Sequence, residues 1–163
     1  MPSAPTPTAR EPWNEPRARE IAARAAAIKG GLLPALHELQ KVFGLVPGEA
    51  VAILADAFNL SRAEVHGVVT YYHDFREAPA GRHVLKLCRA EACQAVGGVA
   101  VAEAAKRHLK LGWGETGKDG AWTLEPVFCL GLCASGPAAM LDGELHARLD
   151  EGRVKAMIGE AGE

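Results

Sequence analysis

No stretch of this chain approaches 18 uninterrupted apolar residues, so hydropathy predicts no membrane-spanning helix. A basic surplus is also missing. Lys plus Arg is 18 against 20 for Asp plus Glu, and a net charge of -2 argues against a dedicated nucleic-acid binder. The sequence has no G-x-G-x-x-G, no P-loop and no G-x-S-x-G. It therefore offers no nucleotide-binding fingerprint and no serine nucleophile, and no active site of its own is expected. The first sixteen residues, MPSAPTPTAREPWNEP, hold five of the ten prolines and lack an apolar h-region. That composition predicts an irregular arm rather than a secretory signal, and hence a cytoplasmic protein.

What is present is an ordinary globular composition. In 163 residues, 48% are hydrophobic and 23% charged, enough apolar material for one domain or two small ones. After the arm, residues 17–29 are Ala-rich, with Ile21, Ala25 and Ile28 at helical spacing and Gly30-Gly31 as the stop. A second helix carries Leu32, Leu36, Leu39 and Phe43 on one face, with Pro34 tolerated in the first turn and Gly44 at the end. A third shows Val51, Leu54, Ala55 and Phe58. The fourth starts at a capping box, Ser61-Arg-Ala-Glu64, followed by a stripe of Val65, Val68, Val69 and Tyr72. These residues predict a small helical domain over 17–76. Its stripes and lack of clustered ligands suit docking better than chemistry.

Near Glu77–Gly81 the pattern turns extended, and a second domain is expected over 82–159. Residues 82–87 predict a strand running into Cys88. A helix follows over 95–111, with Val99, Ala102, Ala105 and Leu109 on one face. Residues 121–128 predict a second strand running into Cys129. Asp142-Gly143 then marks a hairpin of type I′, and a short helix covers 151–158.

The four cysteines form the sharpest pattern: Cys88-x4-Cys93, then Cys129-x3-Cys133. Each pair begins where a predicted strand ends. A helical crossover makes the two strands parallel, so both cysteine loops meet at one sheet edge. Four thiolates from two loops can hold one [2Fe–2S] cluster, Cys88 and Cys93 on one iron and Cys129 and Cys133 on the other. Four cysteines also suit structural zinc, although zinc knuckles are usually tighter. A disulfide pair or inert buried thiols are the remaining readings. Gly131, Gly136 and Gly97-Gly98 would let backbone N–H groups approach sulfur. Arg89 is either a charge that tunes a cluster or a solvated surface residue. Pro137 opens the hairpin strand and allows a cis bond. The six histidines, at 37, 66, 73, 83, 108 and 146, have no ligand spacing, and Trp113 and Trp122 suit packing.

At these motifs the sequence resembles a known family. CRAEAC and CLGLC, followed by SGPAAMLDGELHARL, are similar to the thioredoxin-like [2Fe–2S] ferredoxin subunits of NADH-linked dehydrogenases. LLPALHELQKVFGLVP and LSRAEVHGVVTYYHDF resemble the helical region that precedes the ferredoxin domain there. The likeness covers about residues 20–158. Within the family, which includes subunits of complex I and of NAD-reducing hydrogenases, CRAEAC and the short chain most resemble the gamma subunits of soluble, molybdenum-dependent NAD-linked formate dehydrogenases. The resemblance implies an α+β chain: a short-helix bundle followed by a thioredoxin-like α/β ferredoxin domain with a mixed sheet. It implies a [2Fe–2S] cluster on Cys88, Cys93, Cys129 and Cys133, and a non-catalytic electron-transfer role. It implies as partners a flavin (FMN)- and NAD-binding subunit and a molybdenum- and iron–sulfur-containing, formate-oxidising subunit. One residue departs from the complex I pattern. Arg89 stands where those relatives usually carry a small hydroxyl residue, so their hydroxyl contact is missing here.

Overall fold

The computed structural model describes residues 10–162, which divide into two compact units between Pro79 and Ala80. Residues 1–9 of the Pro-rich arm lie outside the described residues.

The first unit is all helix. α1 (Glu15–Ala26) begins two residues earlier than its periodicity predicts, because Asn14 caps it: Oδ1 accepts from the Arg17 N–H at 3.1 Å. It also ends earlier. Its buried face is Ala18, Ile21, Ala22 and Ala25, whereas Ile28 lies beyond the helix and is 56% exposed. α2 (Leu32–Phe43) buries Ala35, Leu36, Leu39 and Phe43 and stops at Gly44, whose φ of 80° closes the helix in the left-handed conformation. α3 (Ala50–Phe58) turns Ala50, Ile53, Leu54 and Ala55 inward, leaving Val51 and Phe58 half-buried.

α4 (Arg62–Tyr71) has the expected capping box. The Ser61 hydroxyl accepts from the Glu64 N–H at 3.2 Å, and Glu64 accepts from the Ser61 N–H at 2.8 Å. Val65 and Val69 enter the core, but Tyr72 falls past the last turn and is exposed. The tail of the Pro-rich stretch is not loose. Glu11 donates its N–H to the Val42 carbonyl at 2.9 Å, and the Trp13 ring rests 5.2 Å from that of Phe43.

The second unit is built on a five-stranded mixed sheet in the order β2-β3-β1-β4-β5. In chain order it runs β1 (His83–Cys88), α5 (Glu91–Ala95), α6 (Gly98–Leu109), β2 (Glu115–Thr116), β3 (Trp122–Val127), β4 (Ala139–Leu141), β5 (Glu144–His146) and α7 (Glu151–Gly162). β1 and β3 are parallel as expected, in register from His83 opposite Trp122 to Cys88 opposite Val127. β4 runs antiparallel to β1, and β5 to β4. Between them Asp142 and Gly143 both have positive φ, 51° and 93°, as the type I′ hairpin requires.

Leu85, Leu87, Leu124 and Ala139 of the sheet pack with Val101, Ala104 and Ala105 of α6 and Val154 and Ile158 of α7. Three features differ from expectation. The predicted helix is shorter, α6 alone, and a separate short helix, α5, precedes it in the first cysteine loop. The face of α6 is Val101, Ala102, Ala104 and Ala105, so Val99 is exposed. The glycine-rich connection contains the short strand β2, hydrogen-bonded along β3. No helix among the described residues is long and apolar enough to cross a membrane.

Candidate metal centre

The parallel strands bring the cysteines to one edge. Cys88 is the last residue of β1, and its N–H donates to the Ala138 carbonyl at 3.0 Å. Cys93 sits in the middle of α5, a short helix within a stretch whose sequence predicts a loop. Both are buried, and with Ala138 they form a small apolar cluster flanked by Ala90, Val127, Leu130 and Leu132.

The second pair is different. Cys129 lies two residues past β3, and Cys133 opens a short 3-10 turn over Cys133–Ser135. Both are exposed, with their Sγ atoms 3.6 Å apart. Cys129 holds a φ of 92°, a conformation that costs a residue with a Cβ about 1–3 kcal/mol. The Gly131 N–H donates to Cys129 Sγ at 3.4 Å. Gly136, just before the cis bond to Pro137, stands close behind Cys93: a Cβ there would meet Cys93 Sγ at 3.3 Å and Val96 Cγ2 at 3.1 Å.

The thiols perturb one another. Burial opposes ionisation of Cys88, but the backbone N–H groups of Ala90, Cys129 and Leu130 and the Cys93 thiol stabilise its thiolate, and its pKa falls below the usual thiol value. Cys93 is pushed up, first by burial and then by Cys88. Cys133 is pushed up by its contact with Cys129. The Cys129 and Leu130 N–H groups acting on Cys88 join the two loops electrostatically.

One thiol of each pair is thus harder to ionise than an ordinary thiol, Cys93 in the buried pair and Cys133 in the exposed one. Among the described residues no three His, Cys, Asp or Glu side chains are gathered closely enough to enclose one ion. The donor set at this edge consists of two thiol pairs. That chemistry fits a cluster with two irons, each iron taking two thiolates.

The remaining sequence candidates lie elsewhere. His83 Nδ1 pairs with Asp142 Oδ2 at 2.8 Å, and its ring lies 4.9 Å from that of Trp122. The His37 and Phe75 rings meet tilted at 56°, with centroids 5.0 Å apart. The carboxylate partner of His83 is 59 residues away in sequence, which is why local spacing carries no sign of it. Trp113 packs at the edge of the sheet–helix core. Arg89, adjoining the first cysteine, lies over its ring at 5.1 Å, a contact that no sequence spacing signals.

Comparison with known proteins agrees with this chemistry. The profile of the thioredoxin-like [2Fe-2S] ferredoxin family matches residues 18–162. The HndA subunit of an NADP-reducing hydrogenase from Solidesulfovibrio fructosivorans is 33% identical over 132 residues, 81% of this chain and 77% of that protein. A subunit of the NADH-quinone oxidoreductase from Escherichia coli K12 is 37% identical over 126 residues, 77% of this chain and 73% of that one. A crystal structure of an NAD+-reducing [NiFe]-hydrogenase in the H2-reduced state matches with a TM-score of 0.71 at 27% identity. The match covers 80% of this chain and 22% of that one, so this chain corresponds to about a fifth of that hydrogenase chain. The family and its cofactor set aside the zinc-stabilised alternative: the chain belongs to the thioredoxin-like [2Fe–2S] ferredoxin family, and its cofactor is a [2Fe–2S] cluster.

Proposed function

We propose that Cys88, Cys93, Cys129 and Cys133 hold the cluster, two cysteines to each iron, and that the chain is an electron-transfer subunit of an NAD-linked oxidoreductase complex. The observation that carries this reading is the convergence of two thiol pairs at the C-terminal ends of the parallel strands β1 and β3. When bound, the cluster supplies one-electron exchange. The chain's own residues fix where that exchange occurs. Cys88 and Cys93 anchor one side in the fold, and Cys129 and Cys133 present the other at the surface. Backbone N–H groups of Ala90, Leu130 and Gly131 point towards sulfur, which stabilises negative charge at the site.

The complex is a soluble, cytoplasmic NAD-dependent formate dehydrogenase. In it the chain stands beside an FMN- and NAD-binding subunit, and a molybdenum- and iron–sulfur-containing subunit oxidises formate. The wording CRAEAC supports this assignment. A second reading, the equivalent subunit of an NADH-quinone oxidoreductase or an NAD-reducing hydrogenase, is favoured by the names of the relatives. Affinity purification of the tagged chain from its native cell separates them. Co-purifying subunits and formate-dependent NAD+ reduction are expected. Hydrogen-dependent reduction, or quinone-linked NADH oxidation, in the same preparation overturns the formate assignment.

A further inference from the structure

Beside the buried cysteine pair lies a small cavity of about 40 Å³, lined by Cys88, Arg89, Gln94, Lys106 and Trp113 among others. Arg89 is held on three sides. Its N–H donates to the Val127 carbonyl at 2.7 Å, and its own carbonyl accepts from Gln94 Nε2 at 2.6 Å. Its guanidinium carbon lies 5.1 Å from the centroid of the Trp113 ring. The same ring takes Lys106 Nζ at 4.8 Å.

The two cations differ in one respect. Lys106 is paired with Glu103 at 3.0 Å, whereas among the described residues Arg89 has no carboxylate partner. An indole face attracts a cation without cancelling its charge. The stack therefore holds, in the wall shared with Cys88, a positive charge with no direct ion-pair partner among the described residues; Glu103, which lines the same cavity, is paired with Lys106.

We infer that Arg89, positioned by Trp113, is a tuning residue that raises the reduction potential of the cluster. Reduction adds one negative charge to the cluster, and a fixed cation nearby favours the more negative state. This rests on the proposed ligand role of Cys88. Trp113 acts through Arg89 and not on the cluster itself. Lys106 contributes less, because Glu103 offsets its charge.

The test is an EPR-monitored redox titration of the full-length, cluster-loaded chain. Arg89→Gln is expected to make the cluster harder to reduce, lowering the reduced-to-oxidised ratio at a given potential on the order of tenfold, about 59 mV for one electron. Arg89→Lys, which keeps the charge but stacks less well, is expected to retain about half of that effect or more. Trp113→Leu should shift the potential in the same direction as Arg89→Gln. Combined with Arg89→Gln it should add little, because the charge it positions is already gone. Iron content and EPR line shape report an intact cluster in each variant.

An unshifted potential in Arg89→Gln with full iron content overturns the proposal. A Trp113→Leu shift that is undiminished in the Arg89→Gln background overturns the positioning role. Cys88→Ser separates this from the underlying reading. If that variant keeps its cluster unchanged, the ligand assignment fails, whatever Arg89 does.

Discussion

Cys88 and Cys93 are buried in the sheet unit, while Cys129 and Cys133 stand on its surface. The first pair occupies regular structure, a strand end and a short helix, and packs against Ala138. The second occupies an irregular loop, with Cys129 at a φ that favours glycine. The difference separates two demands on one site. On the proposed ligand assignment, the buried pair serves the apolar core as well as the cluster. The exposed pair has little packing to contribute, and Cys129 holds an unfavourable backbone conformation. If all four cysteines are ligands, as proposed, their variants should respond alike in cluster binding and unlike in the stability of the cluster-free chain.

The largest effects are expected at the proposed ligands. Cys93→Ser and Cys133→Ser are both expected to lose the cluster, seen as loss of visible absorbance and of the EPR signal of the reduced protein. Urea denaturation of the chelator-stripped chains should then divide them. Cys93→Ser leaves a buried hydroxyl among apolar neighbours and costs about 1–3 kcal/mol. Cys133→Ser, at an exposed site, stays within about 0.5 kcal/mol of the parent. Equal losses would break the comparison.

Gly136→Ala sharpens it from the neighbouring loop. The new Cβ would press on Cys93 Sγ at 3.3 Å and Val96 Cγ2 at 3.1 Å, so the fold loses about 1–3 kcal/mol and iron content falls. Thermal melts and iron analysis of the same sample check both effects.

A smaller effect tests the strain in the exposed loop. Cys129→Gly and Cys129→Ala both remove the thiol, but only alanine keeps the Cβ that disfavours a φ of 92°. In the cluster-free state the glycine variant should be the more stable by about 1 kcal/mol, strain relief outweighing the entropy cost of glycine. Paired urea titrations measure it, and the reverse order would deny the strain.

The smallest change lies in the helical unit and should not reach the cysteines at all. Ser61→Ala removes one arm of the capping box and costs about 1 kcal/mol, with cluster absorbance unchanged. The Ser61 N–H, and then its hydroxyl, hold the Glu64 carboxyl below the usual carboxylate range. A carboxylate depressed in the folded state stabilises above its unfolded pKa and loses that contribution as pH falls through the folded value. Glu64→Gln should therefore be less stable than the parent at neutral and alkaline pH, with the difference closing as pH falls through the folded value of Glu64.

Much of this architecture was legible in particular residues. Ser61 and Glu64 marked a helix start, Gly44 a helix end and Asp142-Gly143 a hairpin, because each of those devices is local. The parallel pairing of β1 with β3 followed from a crossover rule, and with it the meeting of the two cysteine loops. Tertiary choices were not legible. Ile28 and Tyr72 fit their helical stripes by spacing, yet lie past the helix ends, because caps and not periodicity decide where a helix stops. Val99 fits the α6 stripe by spacing yet is exposed, because α6 turns Val101, Ala102, Ala104 and Ala105 inward. Burial of one cysteine pair and exposure of the other, and the stacking of Arg89 on Trp113, depend on residues brought together across the fold. No single-segment pattern contains them.

The central claim is that four cysteines, in two unlike pairs, hold one cluster with two irons. Iron and acid-labile sulfide per chain, measured on the purified full-length protein and on each single Cys→Ala variant at positions 88, 93, 129 and 133, test it directly. Two irons and two sulfides per chain are expected in the parent, with loss of both in every variant, whether the cysteine is buried or exposed. One metal ion per chain without sulfide, or any one of the four variants retaining the full complement, would contradict it.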